Sequence, residues 1–409
     1  MKSVPEARKI VAAAVSVATS EQVPLAELTG RVLAEPILAP FPRPRYTDSA
    51  MDGFAVRTAD LARADRQNHI ALRLVGVTAA GAREPGVVGP GECRQVMTGA
   101  AIPEGADAVV KVEDTSGFEK EPVQVYHAPQ VGENMRKAGE EIPAGELLLS
   151  PGARFGPGEL GILAGCGLDT ASVYLRPPVA LITTGNELVR PGEPLSPGMI
   201  YNSNLPVLRT LAELAGATII SAETVPDDQQ AQRDSVAQAL EQAKLVVVSG
   251  GVSMGRFDHV REVLRSQGIR ERFWRVAQKP GKPLYFGTGP DTLVFGLPGN
   301  PVSAFICFME FIWPALESLQ GLAPRPQLRG TLSAPYPRER KLWRFLLGEA
   351  WVQVSRLMVR PSGKRGSHMF TTTLKANCIL SASPGEGPLE EGAEISVRLL
   401  PWTMLPGEA

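Results

Sequence analysis

Leu245-Val246-Val247-Val248-Ser249-Gly250-Gly251 is the stretch on which the fold turns. Its apolar run does not alternate with polar residues, so both faces of the strand must be covered. That is the pattern of a central strand in a parallel sheet flanked by helices. The same pattern continues on either side. Upstream lie strand Val179–Thr183, helix Leu205–Leu214 with Pro206 tolerated in its first turn, strand Ala217–Val225 and helix Gln229–Gln242. Downstream come helix His259–Ser266, strands Arg272–Ala277, Leu284–Gly287 and Leu293–Phe295, and a long helix over Pro301–Leu319. Strands alternating with helices predict a doubly wound, mostly parallel α/β sheet over residues 177–324.

The flanks read differently. Residues 1–45 begin as a helix and pass into Ala39-Pro40-Phe41-Pro42-Arg43-Pro44, where each proline forces its predecessor into extended angles. With 143–176, including a short apolar helix at Gly158–Ala164, they form a discontinuous linker domain. Between them, 46–142 holds short β-branched runs (Leu72–Val77, Ala108–Val112, Val123–Tyr126) and Gly/Pro turns, an inserted β-rich domain. Residues 325–409 return to short strands, clearest at Trp351–Val354 and Ile395–Leu400, and predict a small β-barrel or sandwich.

Composition removes several functional classes. The 409 residues carry 42 Lys+Arg against 43 Asp+Glu, which argues against nucleic-acid binding through global charge. The four cysteines and four histidines form no CxxC, HxH or HExxH spacing, and scattered thiols fit a reducing compartment. The longest apolar run, Ala304–Leu316, is interrupted by Glu310 and Pro314, so no membrane span is expected. Ile10–Ala18 is apolar and follows Lys2, Arg8 and Lys9, but Glu6 sets a signal peptide aside in favour of a cytoplasmic N-terminal helix.

Ligands of a doubly wound sheet bind beyond the carboxyl ends of its strands. Three glycine loops fall there: Thr183-Thr184-Gly185-Asn186-Glu187, Ser249-Gly250-Gly251-Val252-Ser253-Met254-Gly255 followed by Asp258, and Gly296-Leu297-Pro298-Gly299-Asn300-Pro301. One such loop satisfies only the sterics of a turn. Three in phase, each offering backbone N–H groups, indicate a phosphate-bearing ligand. The stiff segment Arg275-Val276-Ala277-Gln278-Lys279-Pro280-Gly281-Lys282-Pro283 adds fixed cations suited to phosphate or another oxyanion. Glu187, Asp227, Asp228 and Asp258 supply hard oxygen donors suited to Mg²⁺. Asp227 and Asp228 also suit the cap of the helix at Gln229. Asp52, in Ser49-Ala50-Met51-Asp52-Gly53-Phe54-Ala55, reads on local grounds as an ordinary turn residue.

Six ordered motifs make the chain resemble the molybdopterin molybdenumtransferases, the MoeA-type molybdenum insertases related to the C-terminal part of gephyrin. They are Ser49–Ala55, Met97-Thr98-Gly99-Ala100, Thr184-Gly185-Asn186-Glu187-Leu188, Gly250–Gly255 with Asp258, Lys279-Pro280-Gly281-Lys282-Pro283 and Leu297-Pro298-Gly299-Asn300-Pro301. The resemblance runs from about Pro24 to the C-terminus. It implies a four-domain, elongated homodimer with a C-terminal β-barrel, a molybdopterin-binding α/β domain and an active site between subunits. It implies a cytoplasmic enzyme that converts adenylyl-molybdopterin and molybdate into molybdenum cofactor and AMP with Mg²⁺. Implied partners are a molybdopterin adenylyltransferase and molybdoenzyme chaperones. Asp52, Glu187, Asp227, Asp258, Lys279 and Lys282 then become catalytic candidates, with the four carboxylates as Mg²⁺ ligands. Binding candidates are Thr98, Arg136, Glu141, Thr184, Gly185, Gly250, Gly251, Ser253, Gly255, Arg275, Pro283, Pro298, Gly299, Asn300 and Ser367.

The chain departs from the family pattern in places. Glu141 and Asn186 stand where Asp is usual, and Arg275 where Lys is common. Trp343-Arg344-Phe345-Leu346-Leu347 stands where relatives show Glu-Phe-x-Arg, which puts Leu347 at a position often basic and implies a weakened oxyanion site. Gly366-Ser367-His368-Met369 matches the family segment. Competing readings are a molybdopterin adenylyltransferase and a non-enzymatic assembly scaffold.

Overall fold

The computed structural model describes residues 1–252, 259–363, 366–403 and 405. They form two compact units: Met1–Ala34, Pro151–Gly156 and Thr170 onward in the first, Glu35–Ser150 and Pro157–Asp169 in the second.

The first unit is built on a six-stranded sheet. Its strands are β1 (Pro178–Thr184), β2 (Thr218–Val225), β3 (Leu245–Ser249), β4 (Arg270–Trp274), β5 (Tyr285–Thr288) and β6 (Leu293–Leu297), in the order β2-β1-β3-β6-β5-β4. The β2-β1-β3-β6 run is parallel, and β5 and β4 close that edge antiparallel. Every residue of β3 is buried, as its unbroken apolar run requires. Strand order reverses between β1 and β3, and the Thr184–Gly185 and Gly250–Gly251 loops leave the sheet at that switch point.

Helices Asn204–Leu214, Gln229–Gln242 and Val260–Ser266 cover the faces. The N-terminal helix Val4–Ala14 begins with a capping box, Ser3 accepting from Glu6 N while Glu6 reaches back. Its Val4, Ala7 and Val11 join the largest apolar core.

One expectation is refined and two are corrected. The helix over Pro301–Leu319 runs the full expected length but changes pitch: α-helical turns Pro301–Cys307 and Trp313–Leu319 flank a π turn at Phe308–Ile312. Pro314 has no N–H for the Glu310 carbonyl, and its ring pushes that carbonyl away, so the helix widens there. Glu310 is buried and accepts from Arg8 and Arg398, and 89% of the apolar stretch lies inside the fold, as in a core helix. The strand expected over Arg272–Ala277 ends at Trp274, because Arg275 turns into the left-handed region at φ 71°. The strand expected at Trp351–Val354 spans Trp343–Gln353. Val354 and Ser355 form a two-residue hairpin with φ 45° and 62°, a turn unmarked by any glycine.

The C-terminal strands Leu328–Leu332, Trp343–Gln353, Arg356–Pro361, Cys378–Ala382 and Glu394–Leu399 close into a barrel, since Trp343–Gln353 pairs with both Arg356–Pro361 and Cys378–Ala382. Gln278–Lys279, from the α/β part of the chain, adds a short parallel strand beside Trp343–Arg344.

The second unit contains a five-stranded sheet ordered Ala108–Lys111, Gly53–Val56, Glu92–Val96, Ile70–Thr78 and Val123–Val125. Its core is Phe54, Val56, Leu72, Cys93, Ala108, Val110, Val123 and Val125. Asp52 sits just before the Gly53–Val56 strand, which lies between Ala108–Lys111 and Glu92–Val96.

Candidate functional site

In the first unit the turn Lys279–Pro283 and the segment Pro298–Asn300 line a cleft of about 530 Å³, joined by Ser303, Leu342, Arg344, Ser367 and His368. Asn300 is the N-cap of the Pro301 helix, but its side chain does not cap. Its Nδ2 donates to Ser367 Oγ at 3.2 Å instead. The Lys279–Pro283 turn is narrow because Gly281, at φ 87°, lies against Cys307 and Gln278. Gln278 is fully buried and donates Nε2 to the Gly281 carbonyl at 3.1 Å and to Cys307 Sγ at 3.3 Å. Lys279 Nζ donates to Glu339 Oε1 at 2.7 Å, and Arg344 Nη1 reaches the same oxygen at 3.4 Å. The bond from Lys279, helped by the charges of Lys279 and Arg344, holds the Glu339 carboxyl below its usual range.

Behind this cleft the glycine loops are tied together. Asn204 Nδ2 donates to Ser249 Oγ at 3.0 Å and to the Gly299 carbonyl at 2.8 Å, joining the loops after β3 and β6. The buried Thr184 Oγ1 has no hydrogen-bond partner among the described residues. A Cβ on Gly250, which sits at φ 102°, would lie 2.5 Å from the Thr184 carbonyl, so only glycine fits the crossing. Trp274 Nε1 donates to the Val252 carbonyl at 3.0 Å. The Trp274 ring carries the Arg261 and Arg275 guanidinium groups, at 3.7 and 4.1 Å from its centroid. The left-handed φ of Arg275 returns its side chain to the ring, where continued strand alternation would send it to the other face.

The acidic candidates divide. Asp228 is the N-cap of Gln229–Gln242, its Oδ1 accepting from Ala231 N at 2.8 Å. Asp227 does not cap. It trades bonds with Asn186: Asn186 N donates to Asp227 Oδ2 at 3.4 Å and Asp227 N to Asn186 Oδ1 at 3.0 Å. Glu187 folds over Gly185, its carboxylate 2.7–2.9 Å from where a Cβ would stand. Ser253, Gly255 and Asp258 lie outside the described residues.

In the second unit, Ser49 N donates to the Ala100 carbonyl and Gly99 N to the Ser49 carbonyl, so the Ser49–Ala55 and Met97–Ala100 motifs form one structure. Asp52 is exposed, and its Oδ1 accepts from Thr98 N at 2.7 Å and Thr98 Oγ1 at 2.8 Å. These two bonds hold its carboxyl below the usual range. Arg136 donates Nε to Asp48 Oδ1 at 2.7 Å, and Glu141 pairs with Arg43 at 3.6 Å.

Family models match almost the whole chain: MoeA N-terminal region (domain I and II) over 2–167, Probable molybdopterin binding domain over 180–318 and MoeA C-terminal region (domain IV) over 329–400. The molybdopterin molybdenumtransferase of Haemophilus influenzae is 32% identical over 383 residues, 93% of each chain. The chain belongs to the molybdopterin molybdenumtransferases. That of Bacillus subtilis is 33% identical over 94% of this chain and 93% of its own. The solved molybdopterin biosynthesis MoeA protein of Pyrococcus horikoshii superposes with a TM-score of 0.85 at 28% identity, covering 97% of this chain and 98% of that one. Membership makes the chain an enzyme of the transferase class.

Leu347 is 3% exposed and packs in the core, opposite Ile379. The basic residue of that strand in the cleft is Arg344, 7% exposed, with its Nε unpartnered among the described residues. Strand alternation puts 344 and 347 on opposite faces. Sequence reasoning missed Arg344, Asn204, Glu339 and Trp274. Asn202-Ser203-Asn204, three polar residues ahead of an apolar helix, was the available signal for Asn204.

Proposed function

We propose that this chain transfers molybdenum from molybdate into adenylyl-molybdopterin and releases AMP. The observation that carries this reading is the convergence of Lys279, Lys282 and Arg344 with Asn300 and Ser367 on one cleft beside the glycine loops. Three cations and two polar donors suit a tetrahedral oxyanion. The glycine backbone at Gly185, Gly250 and Gly299, with Thr184 beside it, suits the pterin and phosphates. Arg275, leaning from Trp274, offers a further charge.

Mg²⁺ belongs to the same proposal. No group of three or more His, Cys, Asp or Glu among the described residues forms a closed metal cage. Mg²⁺ needs none, since it binds through one or two carboxylates, waters and substrate phosphates. Asp227 and Glu187, hard donors flanking Asn186, fit that need. When bound there, Mg²⁺ would stabilise charge on the phosphoryl oxygens. The chain's own part is to hold pterin and oxyanion in fixed orientation and to keep Asp52 ionised through Thr98. Asp52, in the second unit of one subunit, is proposed to face the glycine loops of the other subunit in a cytoplasmic homodimer. The same proposal divides the chain at 1–45 with 143–176, 46–142, 177–324 and 325–409.

Purified protein incubated with adenylyl-molybdopterin, Mg²⁺ and molybdate is expected to release AMP and yield cofactor that reconstitutes an apo-molybdoenzyme. AMP transfer from ATP to molybdopterin, without molybdate-dependent release, would overturn the reading in favour of an adenylyltransferase.

A further inference from the structure

Two of the three cleft cations share a carboxylate that belongs to the chain itself. Glu339 Oε1 lies 2.7 Å from Lys279 Nζ and 3.4 Å from Arg344 Nη1. Lys282, in the same turn as Lys279, has no ion-pair partner among the described residues. An isolated pair on a protein surface contributes little and needs no functional account. This one differs, because two cations lining one cleft meet on a single oxygen and one of them, Arg344, is nine-tenths buried.

We propose that Glu339 is the resident counter-ion of the oxyanion subsite. With the subsite empty, its Oε1 takes the place of an oxyanion oxygen between Lys279 and Arg344, and molybdate binds by displacing it. This rests on the function proposed above. A carboxylate oxygen and an oxyanion oxygen are the same kind of charge-assisted acceptor, so one can stand in for the other. The Glu339 side chain is 33% exposed and can turn to water, whereas Arg344, at 8%, cannot. The Glu339 main chain is anchored independently, its carbonyl accepting from Gly385 N at 3.0 Å, so the side chain can leave without the segment moving. The device sets selectivity. A chloride ion at that point can meet both cations, but it carries a single charge and has no further oxygens to offer the rest of the cleft. A divalent tetrahedral oxyanion meets both cations and keeps further oxygens for Lys282, Asn300 and Ser367. Glu339 thereby acts against weak anions, a repulsive element beside an attractive one.

The test is Glu339→Gln, with Glu339→Ala beside it, in the full chain. Removing the internal competitor is expected to lower the molybdate KM for AMP release by about threefold to tenfold, and to leave the KM for adenylyl-molybdopterin within about twofold. Chloride inhibition is expected to strengthen in both variants. A molybdate KM that is unchanged or raised overturns the inference, a rise meaning that Glu339 helps to hold the ligand. If the wild-type chain shows no molybdate-dependent AMP release, the proposed function fails separately. Calorimetric titration of wild type and Glu339→Gln with molybdate alone then decides the inference: tighter binding by the variant supports it, and equal or weaker binding overturns it.

Discussion

Gly281→Ala probes whether the Lys279–Pro283 turn is set by packing beneath it. The added Cβ would lie 2.5 Å from Cys307 Sγ and 2.7 Å from Gln278 Nε2, inside the 3.0 Å that real Cβ atoms essentially never breach. Neither neighbour yields easily. Cys307 is fully buried, and Gln278 Nε2 is held by the Gly281 carbonyl and Cys307. Two costs add. Holding a non-glycine residue at φ 87° costs about 1–2 kcal/mol, and overpacking a closed site costs about 1–3 kcal/mol. A total of about 2–5 kcal/mol corresponds to a melting-temperature loss of about 2–6 °C for a chain of 409 residues. The turn carries both lysines, so the molybdate KM for AMP release is expected to rise with it. Cys307→Ala removes one of the two clashing atoms. The double variant is therefore expected to be more stable than the sum of the single effects by about 1 kcal/mol, leaving the backbone term. Differential scanning calorimetry on the four proteins completes the cycle. A Gly281→Ala chain that melts with wild type and keeps its molybdate KM would refute the reasoning.

Thr98→Val keeps the main-chain N–H but deletes one of the two bonds to Asp52. A carboxyl held below its ordinary value favours folding above the unfolded pKa, and loses that contribution as pH falls through the folded pKa; the variant should move the Asp52 titration, followed by NMR, upward in pH. Asp228→Ala removes a helix cap and is expected to cost about 1 kcal/mol in urea unfolding with KM unchanged, whereas Asp227→Ala should raise the Mg²⁺ requirement of AMP release with little change in stability. Glu310→Ala leaves Arg8 and Arg398 facing each other without their acid and is expected to cost about 3 kcal/mol in the same unfolding assay, the low end because both arginines reach water. Trp274→Phe keeps the ring under Arg275 and deletes the bond to Val252; a KM for adenylyl-molybdopterin raised about three- to tenfold at constant kcat is expected from steady-state kinetics.

Much of this was legible in the sequence because local patterns and the global fold agree. The buried run Leu245–Ser249 required a parallel sheet, and the glycines after each strand marked its carboxyl edge. What sequence could not show were effects of chain segments meeting at a distance. Pro314 was visible, but the pairing of the buried Glu310 with Arg8 and Arg398 was not. The Val354–Ser355 hairpin carries no glycine, so the barrel's closure rather than local preference holds both residues at positive φ. Arg344 and Glu339 were unreadable for the same reason: their meaning comes from Lys279, sixty positions and more upstream.

The two-residue strand Gln278–Lys279 has a consequence for how such enzymes can be recombined. Lys279 faces Arg344 across a parallel ladder step, so main-chain pairing works as a ruler that spaces a cation from the α/β part against one from the barrel. Ladder spacing is indifferent to side-chain identity. A barrel transplanted from a distant relative should therefore restore the pair wherever its first long strand docks in the same register. A one-residue slip would turn the arginine to the opposite face and carry the buried Phe345 and Leu347 off the core with it, so misregister would cost the fold as well as the anion site.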